Sequence, residues 1–372
     1  MDDKPLQVLN EDHLNDKMDN QPISSSLVES KHIEKCIKEQ CEKQFAIARM
    51  DFFEGAYQSA DEHVKKLEDK IMPRIEKLEG IQHHLNDPAT LVFLGQAKIS
   101  AATSELEKSF DLLAELIVSY IKNGKDRKRR AGIQQAVKII GEIDEDALCG
   151  LTCAHAFLHF APAAGSCLKG LECLNDMFSK LIYQELPAGH AWLDHLDNLG
   201  AIRVISLRKM TKISHFCRTH FNGYICTGIK IDSDDYKKAL GLLDEYKIGR
   251  EILVPNSLVD GYSRLDIFSN TVIDQLAYCD DDDVDKKWIL LTEEQRAAIR
   301  RIWGMYSSDY VLKSQAQNHF MKLWDSFESL LKFRLWWENT PQAFEITSPG
   351  GMLAQTNALR CDSTVPKLLD FL

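Results

Sequence analysis

Two cysteines and two histidines lie on one predicted helix, at Cys149, Cys153, His155 and His159. Thiolates and imidazoles are the side chains that most often bind structural zinc. Residues four apart share a helical face, so the cysteines form one pair and the histidines form another. Because the two pairs point in different directions, a tetrahedral site would need ligands from elsewhere. We therefore predict buried, reduced cysteines here, with no bound metal and no other cofactor.

A second group of metal-binding residue types, His215, Cys217, His220 and Cys226, has a spacing outside the usual zinc patterns. We interpret these residues as members of a β-hairpin with mixed burial. The run HAWLDHLD at 190–197 places acids and imidazoles on another predicted helix. Such groups can form a metal-dependent hydrolase site. They are more typical of the solvent-facing side of an amphipathic helix.

Arg208 and His215 have an Arg-x6-His spacing. This spacing resembles the catalytic signature of the HEPN ribonucleases. In that family the pair lies in a helical bundle, where the arginine stabilises phosphate charge and the histidine transfers protons. Strand-like residues follow His215 here, which departs from the family context. The pair is the catalytic candidate of an alternative interpretation, a nucleic-acid-directed effector.

The same alternative assigns phosphate contacts to a basic run at 122–130 (KNGKDRKRR), and in particular to Lys128, Arg129 and Arg130. A charged loop between two helices is usually only solvated. The net charge of −11 also excludes a nucleic-acid-binding surface that covers the whole molecule. A winged-helix-like binder that uses these three residues is the second form of the alternative.

Several common catalytic motifs are absent from the sequence, namely GxxxxGKS or GxxxxGKT, GxGxxG, GxSxG and HExxH. These absences argue against the commonest nucleotide-binding, hydrolase and protease classes. The acidic run at 280–285 lacks the glycine and the terminal glutamate of a calcium loop. The sequence leaves catalysis undecided and favours a protein without it.

The composition, with 44% hydrophobic and 27% charged residues among 372, is typical of a globular protein with two or three domains. The polar beginning of the chain does not resemble a signal segment, and no stretch is long and apolar enough to cross a bilayer. We therefore expect a cytoplasmic protein, without membrane contact, whose ten cysteines are reduced.

The hydrophobic periodicity predicts a mainly α-helical fold. A disordered tail at 1–28 precedes a helical bundle domain at 29–185, in which Asp87 and Pro88 begin one helix that extends to Tyr120. A small α+β module, for which a winged helix is one interpretation, follows at 186–290. Its signals are an Asn222-Gly223 hairpin turn, a strand pair within 252–268 and a helix at 234–246 that is capped by Asp232 or Ser233. A C-terminal helical region occupies 291–372, with a helix start at Thr292 and a short extended piece at 343–347.

The C-terminal region contains a dense aromatic helix at 310–337, which ends in Trp336 and Trp337. Its apolar residues wrap most of the helix, so nearly every side must be covered. The covering could come from the same chain, which would make this the central core helix. It could instead come from a partner or a second copy, and Trp336 and Trp337 would then bind it.

The run Gly55-x-Tyr57-x-x-Ala60 resembles the turn of a tetratricopeptide helical hairpin. Only one copy is present, and an ordinary helical hairpin explains it equally. Either interpretation indicates protein contacts, with Tyr57 as a candidate partner-binding residue.

Two further stretches, 192–204 (WLDHLDNLGAIRV) and 344–362 (FEITSPGGMLAQTNALRCD), resemble an uncharacterised family of helical bacterial proteins. Some related accessory proteins occur near phage-defence genes. The resemblance implies a bacterial protein with a partner-dependent role and assigns chemistry to no residue. We therefore expect a non-catalytic accessory or adaptor protein that acts through protein–protein contacts.

Overall fold

The computed structural model describes residues 54–78, 87–123, 126–162, 164–279 and 288–368. The chain divides into two compact units, 1–59 and 60–372. Of the first unit, the description covers residues 54–59, which are helical. The predicted tail at 1–28 and the acidic run at 280–285 lie outside the described residues. All further description concerns the second unit.

The second unit is mainly helical, with helices at both ends and small sheets in the middle, which confirms the predicted fold class. Its first part contains α1 (60–75), α2 (Pro88–Thr103), α3 (Lys108–Lys122), α4 (Arg127–Ile140), α5 (Glu145–His159) and α6 (Cys167–Leu181). Asp87 caps α2 by accepting from the Ala89 amide, and Pro88 is the first helical residue, as predicted.

The prediction that one helix runs from Asp87 to Tyr120 is wrong. Residues 104–107 separate α2 from α3. After such a break the two halves no longer share one helical register, and Ile99 is 59% exposed while Leu113 and Ile117 are buried.

The middle of the unit contains α7 (Ala191–Asn198), β1 (Ile202–Ile205), α8 (Ile213–His220), β2 (Ile229–Lys230), α9 (Asp234–Glu245), β3 (Leu253–Pro255), β4 (Tyr262–Leu265), β5 (Ala277–Cys279) and β6 (Trp288–Leu290). The strands β2, β4 and β3 form an antiparallel sheet with β4 in the centre. The predicted strand pair is therefore confirmed, as is the cap of α9, where the Ser233 hydroxyl accepts from the Tyr236 amide.

The prediction of a β-hairpin with its turn at Asn222-Gly223 is wrong, because the residues before the turn form the helix α8. Ile213 and Cys217 are four residues apart and both are buried, so the apolar residues follow a helical period. The side chain of Asn222 bonds to Asn270 instead, donating to its side-chain oxygen and accepting from its amide.

The C-terminal part consists of α10 (Glu293–Trp303), α11 (Tyr310–Asp325), α12 (Glu328–Asn339), β7 (Ala343–Ile346) and α13 (Ser348–Cys361). The predicted aromatic helix is thus two helices that are separated at residues 326 and 327. Strand β7 pairs antiparallel with β1, which confirms the predicted extended segment and ties the end of the chain to its middle.

Helix α13, rather than the aromatic segment, lies in the interior of the described part of the chain, together with α5, in which every residue from Ala147 to Phe157 is buried. Every residue from Gly350 to Ala358 is buried. The helix packs against α5, α4 and α3, so the C-terminal helix lies within the bundle formed by the first part of the unit. A side chain at Gly350 would collide with the carbonyl of Ala201, which explains why this close approach needs glycine.

The apolar residues form two cores. The first contains residues from 67 to 365 and combines the helices of both ends of the unit with α7 and α8. The second is drawn from 229–302 and combines α9 and α10 with the sheet of β2, β4 and β3. The boundaries predicted at 185/186 and 290/291 therefore do not coincide with the division between the cores.

Within the described residues, no helix has the length and apolar character that crossing a membrane requires.

Candidate anion-binding cleft

A cleft of about 730 Å³ opens between α1, α3, α4 and the end of α13. Cationic side chains from five segments line it, together with two carboxylates. We call it the basic cleft and define it by its cations Arg74, Lys122, Arg129, Arg360 and Lys367. Its volume is that of a typical ligand site. The local excess of positive charge contrasts with the net charge of −11 of the chain.

The two carboxylates of the basic cleft are already neutralised. Arg74 donates from Nε to Glu115 at 2.7 Å and forms an ion pair with Asp111 at 3.5 Å. Lys70 also contacts Asp111, at 3.1 Å. Neither carboxylate is paired with Lys122, Arg360 or Lys367.

Arg360 is held in position by uncharged groups. Its Nε donates to the side-chain oxygen of Asn357 at 2.9 Å, and its Nη2 lies 3.3 Å from the sulfur of Cys361. The guanidinium carbon lies 5.4 Å from the ring centre of Tyr183, within cation–π range. Burial raises the pKa of Tyr183, so this ring is neutral. Arg360 has no carboxylate partner among the described residues.

A chain of buried hydrogen bonds fixes the group that holds Arg360. The hydroxyl of Thr152 donates to the carbonyl of Leu148 at 2.7 Å and accepts from the amide nitrogen of Asn357 at 2.8 Å. Because the amide nitrogen faces Thr152, the oxygen of Asn357 faces Arg360. Thr152 and Asn357 are both fully buried, so the position of the guanidinium is set from inside the bundle.

Lys122 and Lys367 are exposed at the cleft, and neither ammonium group has an ion-pair or hydrogen-bond partner among the described residues. Ser119 also lines the cleft. Its oxygen accepts from the side chain of Asn123 at 3.3 Å, which leaves the hydroxyl proton to donate to a ligand. The cleft thus combines one oriented guanidinium with two exposed ammonium groups.

The predicted nucleic-acid-binding residues fall into three different environments at the start of α4. Arg129 lines the basic cleft and donates to the side chain of Asn123 at 2.8 Å. Arg130 turns inward, 5.7 Å from the ring centre of Tyr120 and 3.5 Å from the carboxylate of Asp87. Lys128 is exposed and does not line the cleft.

The structure does not place Arg208 and His215 on one helix. Arg208 lies in the irregular segment after β1, and its carbonyl accepts from the Ala343 amide. His215 lies in the first turn of α8 and contacts Arg218 at 3.4 Å. Both side chains are exposed. The two residues of the predicted pair therefore lie on different elements, one after β1 and one in α8.

The candidate partner-binding aromatics also separate. Trp337 is 3% exposed, and its indole donates to the Thr211 carbonyl inside the first core. Trp336 is half-buried beside the 49% exposed Leu335, and both line a shallow groove of about 290 Å³. Tyr57, in the first unit, is 71% exposed. Trp337 consequently belongs to the interior, whereas Trp336 and Tyr57 are accessible.

The cysteine and histidine clusters are mostly internal. Cys149, Cys153 and His155 are fully buried on α5, and Cys217 is fully buried on α8. His155 lies 3.1 Å from the side-chain oxygen of Gln355, and burial lowers the pKa of His155 to about 4. In the part of the chain that the structure describes, no group of three or more suitable side chains converges as a metal site.

Sequence reasoning missed Arg360, Asn357 and the role of α13. The available signal was the polar run Gln355-Thr356-Asn357 inside an otherwise apolar helix, since buried polar residues need partners. Lys122 falls in the basic run at 122–130 that was predicted to contact phosphates. Lys367 carried no signal, because an exposed lysine looks the same in a sequence whether or not a carboxylate neutralises it.

One protein family, described only as “:-like”, has a model that matches residues 32–365, which is most of the chain. No curated protein and no solved structure matches the chain.

Proposed function

We propose, for a chain that belongs to the “:-like” family, the role of a non-catalytic accessory protein that acts through contacts with another protein. The contact site in this proposal is the basic cleft, and its occupant is an anionic segment of the partner. The observation that carries the proposal is the Arg360 guanidinium, which is oriented by Asn357 and Tyr183 and has no carboxylate among the described residues.

Charge complementarity selects the occupant. Arg360 is held by neutral groups and keeps its full charge, so a bound anion would supply the counter-charge. Lys122 and Lys367 lie in the same cleft and add two further charges. On an acidic protein, such a local positive site attracts an anionic segment and repels most other surfaces.

The proposal also includes the cellular location of the protein and its secondary contacts. The resemblance to helical bacterial proteins, some of them near phage-defence genes, supports a partner-dependent role in the cytoplasm. The exposed Tyr57 of the tetratricopeptide-like run and the exposed Leu335 beside Trp336 would supply secondary contacts to a protein partner or a second copy. Aromatic residues are common at such contacts.

The test is reconstitution with a partner that is identified by co-purification from the native host. The variant combines Lys122→Glu, Arg360→Glu and Lys367→Glu, and the matched control is Lys128→Glu, an exposed charge reversal outside the cleft. We expect the purified partner to bind the control like the wild type and to bind the triple variant at least about tenfold more weakly. Equal binding to all three proteins would overturn the proposal.

A second candidate function is recognition of nucleic acid, which the exposed Arg127 and Lys128 beside Arg129 favour. In that case Lys128→Glu would weaken the binding of single-stranded DNA or RNA together with the cleft variant, and affinity would fall steeply with salt. The ribonuclease form adds Arg208 and His215. RNA cleavage that persists in Arg208→Ala and His215→Ala would exclude it.

A further inference from the structure

We infer that the anionic group in the basic cleft is a phosphomonoester, carried on a side chain of the partner protein. The inference rests on the proposed function and names the chemistry of its ligand. It draws on the number of cations in the cleft that lack a carboxylate partner, their position in a single cleft, and the neighbouring hydroxyl and apolar groups.

The number of charges is the first argument. A carboxylate carries one negative charge, and a single arginine or lysine neutralises it. A phosphomonoester carries between about −1.5 and −2 at neutral pH. Arg360, Lys122 and Lys367 come from three separate segments, and none of them is paired with a carboxylate in the described part of the chain. Three such cations match a dianion better than a single carboxylate.

The donor geometry is the second argument. Asn357 occupies Nε of Arg360 and Cys361 occupies one edge of Nη2, so Nη1 remains to donate. A phosphoryl group presents three strong acceptor oxygens, and guanidinium donors suit them. The hydroxyl of Ser119 supplies an uncharged donor in the same cleft. One acceptor group with several oxygens can use all of these donors together.

The third argument concerns what carries the phosphoryl group. The cleft is larger than a phosphate ion, and its wall includes the half-buried apolar side chain of Leu359. This side chain can contact the carbon atoms of the phosphorylated residue and its neighbours. A nucleic-acid backbone fits less well, because its phosphates carry single charges that are spread along a strand, whereas these cations line a single cleft.

The experiment uses phenyl phosphate and phenyl sulfate as probes of similar shape and different charge, with affinity measured by calorimetry on the full chain. At about pH 7.5 phenyl phosphate is a dianion, and it should bind at least about tenfold more tightly than the monoanionic sulfate. At about pH 5 the phosphate is mostly a monoanion, and the advantage should shrink. Among the described residues that line the cleft there is no histidine to titrate in this range.

The variants separate binding from positioning. Arg360→Gln should remove most of the preference for phosphate, and Lys128→Gln should leave it unchanged. Asn357→Leu keeps Arg360 but removes the group that orients it. This variant should weaken the binding of phenyl phosphate more than the binding of phenyl sulfate. A general loss of folding would weaken both equally. Circular dichroism on each variant checks that the helices remain.

Two results would overturn the inference. One is equal affinity for the two probes at about pH 7.5, and the other is a phosphate preference that survives Arg360→Gln. If the partner complex is lost in the triple cleft variant while the probes bind equally, the proposed protein contact stands and only the phosphoryl assignment fails. If the probes bind as expected but the partner binds the triple cleft variant as tightly as the wild type, the proposed function fails and the phosphate site remains.

Discussion

The two cores of the second unit are built in opposite ways. The second core is local in sequence, since all its buried residues fall within 229–302. The first core joins α1 to α13 and unites residues almost 300 positions apart, from 67 to 365. The first core also encloses polar side chains, including Thr152, His155, Gln355 and Asn357. Only the first core therefore depends on both ends of the unit.

The difference explains where the candidate site lies. A local core can be closed by short-range contacts, so its surface is defined by consecutive elements. The basic cleft needs α1, α3, α4 and α13 together, and Arg360 is positioned by Thr152 through Asn357. We therefore expect damage to the first core to affect the cleft and damage to the second core to leave it intact.

The largest expected effect comes from Phe333→Ala in the first core. Phe333 is fully buried, stacks on Phe178 at 4.4 Å and lies 5.0 Å from Phe157. Removing a buried phenyl ring leaves a cavity and should lower the free energy of unfolding by about 3–5 kcal/mol. Urea denaturation, followed by circular dichroism, measures the change. A loss below about 1 kcal/mol would contradict the tight packing of this core.

Arg264→Met should have the next largest effect, because Arg264 joins the two cores. Its guanidinium is buried and donates to the carbonyls of Gly165 at 2.8 Å and Leu265 at 2.7 Å. Weaker bonds reach Gly223 and Ile267. Loss of hydrogen bonds to a charged group should cost about 3 kcal/mol.

The control for this change is Arg250→Met, which removes an exposed arginine that is paired with Asp244. The control should hardly change stability, because exposed ion pairs contribute little. In the Arg264→Met variant, hydrogen exchange should show that the amides of the second core lose protection before those of the first core. Simultaneous release of both cores would mean that Arg264 does not govern their junction.

A smaller difference between the cores should appear in the pH dependence of stability, because the first core contains the buried His155. Burial lowers the pKa of His155 to about 4, so its neutral form stabilises the first core. This stabilisation is fully present above the unfolded pKa of about 6.5 and is lost as the pH falls through about 4. Between about pH 7 and pH 5, we expect a loss of about 2 kcal/mol. The His155→Gln variant should show a flatter dependence on pH, and an unchanged slope would contradict the prediction.

The smallest effect should come from Ser233→Ala in the second core. The Ser233 hydroxyl accepts from the Tyr236 amide at the start of α9. Loss of this cap should cost about 1 kcal/mol and should remain confined to the second core. Ser257→Ala is an exposed control. Binding of phenyl phosphate should be the same in both variants, whereas weaker binding in Ser233→Ala would couple the second core to the cleft.

Much of the helical part could be predicted because its signals are local. Asp87 with Pro88, Ser233 and Thr292 begin helices where the sequence indicates, and Thr292 forms a capping box with Gln295. Predictions that needed a partner from elsewhere were wrong or incomplete. The hairpin at Asn222 is one example, since a turn dipeptide does not decide whether the preceding residues form a strand or a helix.

The sequence by itself determined several helix starts and the mainly α-helical class, because periodicity and capping act over a few residues. Only the tertiary structure decided that α13 lies inside the bundle, that Trp337 is internal, and that Arg360, Lys122 and Lys367 share one cleft. The physical reason is that burial and charge neutralisation depend on neighbours in space. Carboxylates neutralise Arg74, whereas neutral groups hold Arg360, and a sequence does not distinguish the two arginines.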